Sequence, residues 1–137
     1  MEVLLESING FPPFALHLAV SLLLLALFVV VYTRITPYPE LELIRQGNLA
    51  AAISLSGATL GYAIPLAYAS AQSVNLADMV LWGGIALITQ LVVYAVVRMV
   101  LIPGIVKDIE QGGVAQGTLL GALSLATGIL NAGCMTY

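Results

Sequence analysis

Charge is what this chain lacks, and the placement of the few charges it has leaves little choice of fold. Its four basic and seven acidic side chains are spaced so that Ser7 to Thr33, Gln46 to Ala77, Met79 to Val97 and Gln111 to Tyr137 contain none. A membrane-spanning helix needs about 20 apolar residues at ~1.5 Å of rise each, so every one of these runs is long enough to cross a bilayer. The expected fold is all-α: an integral membrane protein of four helices, forming a single transmembrane domain over residues 1–137.

Composition closes off the alternatives. The chain is 61% hydrophobic and 8% charged, against roughly 25% charged residues in an ordinary soluble domain. Runs such as Leu22 to Val31 are apolar all the way round, as lipid-facing helices are. Four basic residues make no nucleic-acid-binding stripe. Glu2 and Glu6 precede the first apolar run and no small-residue cleavage site follows it, so it is expected to be a permanent helix rather than a secretory signal. Cys134 has no partner for an intrachain disulfide and is expected to be an inert, lipid-level residue rather than a redox site. The sequence has no His-Glu-x-x-His, no intramembrane aspartate pair, no Ser/His dyad and no phosphate-cradling glycine loop, so neither an enzyme nor a bound metal or cofactor is expected.

The spans are placed near Phe14–Val31, Leu49–Tyr68, Leu76–Val97 and Val114–Ala132. Asn75 with Asp78 has the spacing of an N-cap and an acidic third residue, which starts the third span. Arg34, Arg45, Arg98 and Lys107 flank the first-to-second and third-to-fourth connections. The positive-inside rule therefore puts loops 32–48 and 98–113 in the cytoplasm and both termini outside. Phe11, Phe14 and Trp82 fall toward the outer ends and Tyr32 and Tyr38 near the inner end, where aromatic rings favour the headgroup layer.

The two Arg-bearing connections resemble one another. Ile44-Arg45-Gln46-Gly47-Asn48-Leu49-Ala50 recurs as Ile109-Glu110-Gln111-Gly112-Gly113-Val114-Ala115, at an offset of 109 − 44 = 65. Isoleucine, glutamine, glycine and alanine repeat in register, and Arg34 with Pro37 matches Arg98 with Pro103. The expected architecture is a tandem two-helix hairpin, residues 11–70 and 74–137, with both copies in the same orientation and hence a parallel repeat. In that alignment Ala52, Ser56, Thr59 and Ala63 match Gly117, Gly121, Ser124 and Gly128, one stripe of small residues per helix. Gly113, Gly117 and Gly121 form a doubled small-xxx-small motif, and Gly57 with Gly61 supplies another on a neighbouring face. Such stripes let helix backbones approach in lipid, where no hydrophobic force drives association. Ser56, Gly57, Gly61, Gly113, Gly117, Gly121 and Gly128 are thus the expected packing residues. The second and fourth spans take the centre and the first and third the lipid-facing flanks.

The acidic-apolar segment leading into Ile44-Arg45-Gln46-Gly47-Asn48-Leu49-Ala50-Ala51-Ala52-Ile53-Ser54-Leu55-Ser56-Gly57-Ala58, with its repeated Gln-Gly, resembles the YjfL-like family of bacterial inner-membrane proteins, a paired two-helix domain of unknown function of the DUF350 type. The resemblance covers nearly the whole chain and implies a bacterial plasma-membrane location. It brings no catalytic or binding residue with it.

Polar residues at membrane depth are the remaining candidates. His17, with Ser21 one turn on, could relay a proton or hydrogen-bond to backbone; Asp78 could cap its helix or ring the mouth of an oligomeric pore. Gln111 and Gln116 lie where the fourth span begins, and together with His17 and Asp78 they are the candidate polar or ion path. Glu42 with Arg45 and Lys107 with Glu110 have the spacing of solvated helix-surface pairs. Pro65 is expected to kink the second span and free the Gly61 carbonyl. Two readings of function follow. One is a homo-oligomeric structural or accessory component in the lipid bilayer, built through the glycine stripes and able to hold other membrane proteins, whose assembly leucine at Gly117 or Gly121 should break. The other is a small oligomeric channel or transporter with a polar path between the second and fourth spans.

Overall fold

The computed structural model describes residues 1–135; the last two positions of the expected second hairpin, 136 and 137, lie outside the described residues. Helix α1 (Glu2–Asn9) passes through Gly10 into α2 (Phe11–Ile35), whose first turn carries Pro12 and Pro13, where a missing N–H would have no helical partner anyway. It stops at Thr36, which is extended, as the residue before Pro37 must be. A short helix, α3 (Glu40–Arg45), leads to α4 (Leu49–Gln72). Asn75 and Asp78 start α5 (Leu76–Val96) reciprocally: the Asp78 N–H donates to Asn75 Oδ1 at 2.9 Å and the Val74 N–H donates to Asp78 Oδ2 at 3.2 Å. The end of α5 loosens into a π-helical turn, Val97–Leu101, which Pro103 terminates. Then α6 (Ile105–Glu110) leads to α7 (Val114–Cys134). Four helical stretches, Glu2–Ile35, Leu49–Gln72, Leu76–Leu101 and Val114–Cys134, are long and apolar enough to cross a membrane.

The short helices end alike. After α3, the Gly47 N–H donates to the Ile44 carbonyl at 3.0 Å and the Asn48 N–H to Leu43 at 2.8 Å; after α6, Gly112 donates to Ile109 at 3.0 Å and Gly113 to Asp108 at 2.7 Å. This closure needs a residue with positive φ, and Gly47 (85°) and Gly112 (82°) supply it. The Gln-Gly signature of the sequence is therefore a helix stop used twice.

The most extensive contact is between α4 and α7. Gly117 lies against Ala50, Gly121 against Gly57, and Gly128 against Gly61, so residue numbers rise together and the two helices are parallel. A Cβ on Gly121 would come within 2.7 Å of the Ile53 carbonyl oxygen, and one on Gly117 within 2.5 Å of that of Ala50. Pro65 cannot donate to the Gly61 carbonyl, and that carbonyl is the group that Gly128 packs on. Removing the Cβ from one helix lets it reach an acceptor that proline leaves open on the other.

Three expectations change here. The stripe on α7 is as expected, but α4 turns a different face to it: Ala50, Ile53, Ser54, Gly57 and Gly61 make the contact, while Ser56 is exposed. One residue is about 100° around a helix, so a register error of one is enough to move Ser56 off the interface. Gly113 packs on Gln116 and Asp108 of its own turn, which makes it part of the helix stop rather than of the interface. Finally, α4 alone is central: 56% of its spanning window is buried, against 33% for α7, 28% for α5 and 6% for α2. Helices α2 and α5 pack on α4, and α5 also on α7, which leaves the other side of the α4–α7 pair uncovered within the chain.

Candidate functional site

Two of the buried polar residues, Thr36 and Glu40, lie at the Arg-bearing end, whereas Ser54, Gln90 and Ser124 are buried deeper within the long helices. Phe28 and Tyr32, four residues apart on one face of α2, are both 0% exposed. The rings form a ladder: Tyr62 stacks on Phe28 with centroids 4.5 Å apart, Phe28 leans on Tyr32 at 5.5 Å, and Tyr32 meets the edge of Tyr94 at 5.6 Å. Tyr62 is anchored at depth by donating to the Gly83 carbonyl at 3.2 Å. At the other end of the ladder, the turn after α2 tucks in Tyr38 and then Glu40, which is 1% exposed. Tyr32 and Tyr38 are thus core residues rather than headgroup anchors.

Five oxygens of this cluster, the hydroxyls of Tyr32, Tyr38 and Tyr94 and both carboxyl oxygens of Glu40, are buried without a well-formed hydrogen bond. The Thr36 hydroxyl donates to the Thr33 carbonyl at 3.1 Å and also lies beside the Glu40 carboxyl. Each unmet buried polar group costs about 1–3 kcal/mol, more when charged, so such a concentration calls for a reason. No ion pair relieves Glu40 among the described residues; the only acidic side chain of α3 in one is Glu42, 3.9 Å from Arg45 on the exposed surface. Burial pushes the Glu40 carboxyl up to about 8, and the neighbouring hydroxyls of Tyr38 and Thr36 work against that rise. Burial, and next the Glu40 charge, raise Tyr38 as well. Arg98, on the π-helical turn, lies beside Tyr94. At neutral pH the site therefore holds a carboxylic acid able to donate a hydrogen bond, a state that apolar surroundings impose.

The residues picked from the sequence lie apart. His17 Nδ1 sits 2.8 Å from the Pro13 carbonyl, and Ser21 donates to the His17 carbonyl at 2.7 Å, so both bond to their own helix. They line one side of an apolar groove of about 410 Å³ between α2 and α4. Asp78 is engaged at the start of α5. Gln111 is exposed at the end of α6, and Gln116 is half-buried in the first turn of α7. His17 and Asp78 are at one end of the bundle and Gln111 and Gln116 at the other. Between α4 and α7 the backbones touch from Ala50 to Gly128, which leaves no room for a polar path within that pair. Among the described residues no three His, Cys, Asp or Glu side chains come together to hold a metal ion. Lys107 and Glu110 form no ion pair among the described residues.

The sequence reading missed Glu40, Tyr94 and the buried Gln90, whose amide donates to the Ser124 carbonyl at 3.0 Å. One signal for Glu40 was available. The offset of 65 sets it opposite Ile105 (105 − 40 = 65), so a carboxylate occupies a register position that is apolar in the other half.

Comparison with known proteins places the chain. The family described as Domain of Unknown Function (DUF350) matches residues 6–135, and the chain belongs to it. The UPF0719 inner membrane protein YjfL of Escherichia coli (strain K12) is 40% identical over 124 residues, covering 90% of this chain and 93% of that protein. The UPF0719 transmembrane protein YshE of Bacillus subtilis (strain 168) is 33% identical over 86 residues, covering 63% of this chain and 64% of its own. No solved structure matches the chain.

Proposed function

We propose that this member of the DUF350 family is a multi-pass protein of the bacterial inner membrane that acts as a homo-oligomeric structural or accessory component, without a catalytic step. The observation that carries this reading is the mismatch between composition and exposure in α7. It is the least hydropathic of the four spans, yet only 33% of its window is buried inside the chain. Its outer side carries a stripe of small and polar residues, Ala115, Thr118, Ala122 and Ala126, beside Ser56 of α4, flanked by the exposed Leu119, Ile129 and Leu130. Lipid gains little from such a face, whereas a second helix packs closely on it. The glycines themselves are consumed inside the chain, so copies meet on this outer side of the α4–α7 pair.

The same reading orients the protein with α3 and α6 in the cytoplasm and treats the two hairpins as copies of one parallel unit, which the twin helix stops support. Thiols introduced at Leu41 and Gly104, both exposed, should then react only from the cytoplasmic side.

A cysteine at Ala122 in a Cys134→Ala background should form a symmetric disulfide in the membrane, and Ala122→Trp should shift the purified protein to a smaller species without unfolding it. A monomer under all solubilising conditions would sink the proposal. Gly121→Leu serves as a contrast, because it should unfold the chain rather than separate the copies. Transport is the competing reading, favoured by the unbonded Glu40 carboxyl and the buried Gln90 and Ser124. It would replace the structural role if liposomes containing the protein passed ions or a small polar solute above empty controls.

A further inference from the structure

Helix α3 is attached to the protein in an unusual way. Glu40 is its one buried side chain; Leu41, Glu42 and Arg45 are exposed, and Leu43 and Ile44 are half-buried. At six residues it is too short to persist as a helix by itself, so its order depends on docking. A helix normally docks through apolar groups, whose burial is favourable at any pH. Here Leu43 and Ile44 pack on the core only in part, and the one fully buried group is a carboxyl, enclosed with three phenolic hydroxyls that lack a well-formed hydrogen bond. An ionised carboxylate in that position would be a buried charge without a counter-ion, which is far more costly than a neutral acid.

We propose that Glu40 with the hydroxyls of Tyr32, Tyr38 and Tyr94 is a proton-binding site, and that the bound proton decides whether α3 remains docked. The groups that face the carboxyl are Tyr32 from α2, Tyr38 from the connecting turn and Tyr94 from α5. The titratable side chains of α4 are Tyr62 and Tyr68, and Tyr62 is engaged with Gly83. The Arg98 guanidinium is set beside Tyr94 and forms no ion pair with Glu40 among the described residues. With the proton on, the acid can donate to a phenol and the phenols can donate to it and to one another, and all four groups are satisfied. When the proton passes to water, the carboxylate is left among groups that cannot neutralise it. The glycine at the end of α3, already in a left-handed conformation at Gly47, is the pivot on which the helix can leave. The rise of Glu40 to about 8 agrees with this geometry and sets where the change falls.

The test uses the full-length protein in liposomes of phosphatidylethanolamine and phosphatidylglycerol, titrated from mildly acidic to alkaline pH. Infrared difference spectra should show a carboxylic-acid carbonyl band lost with a midpoint near 8 and absent from Glu40→Gln. Amide hydrogen exchange, corrected for its intrinsic pH dependence, should show protection of residues 40–46 lost with the same midpoint. That loss should vanish in Glu40→Gln and also in Glu40→Ile, which copies the apolar anchor at Ile105 and serves if the amide variant does not fold. Tyr38→Phe removes a hydroxyl that favours the carboxylate and should move the midpoint to higher pH. The proposal is overturned if the band is missing, if both Glu40 variants keep the pH-dependent loss, if Tyr38→Phe leaves the midpoint unmoved, or if sodium or potassium restores protection at alkaline pH, which would assign a metal-cation site instead.

Discussion

Helices α3 and α6 share length, position and closure, yet they are held down by different chemistry. Both have six residues, both follow a long helix and a proline, and both end on glutamine and a left-handed glycine. Ile105 and Ile109 anchor α6, each 0% exposed, whereas Glu40 is the sole buried side chain of α3. The backbone form is thus set locally by the glycine stop and tolerates either anchor. What the anchor changes is the response to pH. Burying isoleucine is favourable under all conditions, and burying a carboxyl is favourable only while it is neutral.

The harshest way to break this contrast is to exchange the anchors. Ile105→Glu places an acid where no tyrosine cluster has been built around it, and should cost about 3 kcal/mol or more, read as a large fall in the unfolding midpoint in detergent. Next comes the pH profile. The Glu40 carboxyl is raised in the folded protein from its ordinary 4.5 to about 8. Its contribution to stability is therefore greatest below 4.5, declines as pH climbs to about 8, and is constant above that. At about 1.4 kcal/mol per pH unit, the decline amounts to a few kcal/mol at most. Glu40→Gln should flatten the profile, leaving the variant no better than the parent in acid and more stable in base. A parallel slope in the two proteins would remove Glu40 from the explanation.

Smaller effects sharpen the comparison further. Asn48 caps α4 by accepting from the Ala51 N–H at 3.0 Å, and its amide donates across to the Ile109 carbonyl at 2.8 Å, tying the start of one long helix to the end of α6. Asn48→Ala should cost about 1–2 kcal/mol in thermal or chemical unfolding. Its counterpart Gly113 cannot be given the same role. A Cβ there would meet Gln116 Oε1 at 2.6 Å and the Asp108 carbonyl at 2.7 Å, so Gly113→Asn should also destabilise. On the same scale, Gly47→Ala and Gly112→Ala should each lose about 1–2 kcal/mol from the positive φ alone and by similar amounts, because open space surrounds both. Unequal losses, measured side by side, would show that the two stops are not equivalent.

Much of this was legible in advance, for reasons that can be named. The spans follow from the charge-free runs, and the start at Leu76 from Asn75 with Asp78; the Asn48 cap before Leu49 and the glycine stops of the short helices showed only in the fold. The small-residue stripe of α7 was legible because Gly117, Gly121, Ser124 and Gly128 recur at helical spacing, and its glycines lie against α4. On α4 two stripes were on offer, one through Ser56 and one through Gly57 and Gly61. Spacing cannot choose between them, since the rotation of a helix is set by its neighbours. The short helices α3 and α6 escaped notice because six residues are too few to show a period. Glu40 was missed because a glutamate between two arginines in a loop ordinarily faces water.

The sequence alone settled that four helices are long and apolar enough to cross a membrane, since burying ions in hydrocarbon is prohibitive and every long stretch avoids them. Its glycines also determined where the short helices stop, because left-handed backbone is a local property of one residue. Tertiary structure decided which face of α4 meets α7 and which of two like-placed side chains, Glu40 or Ile105, brings a titratable group into the core. Burial and its effect on a carboxyl depend on groups from α2, α5 and the turn between α2 and α3 coming together, and no spacing along the chain encodes that meeting.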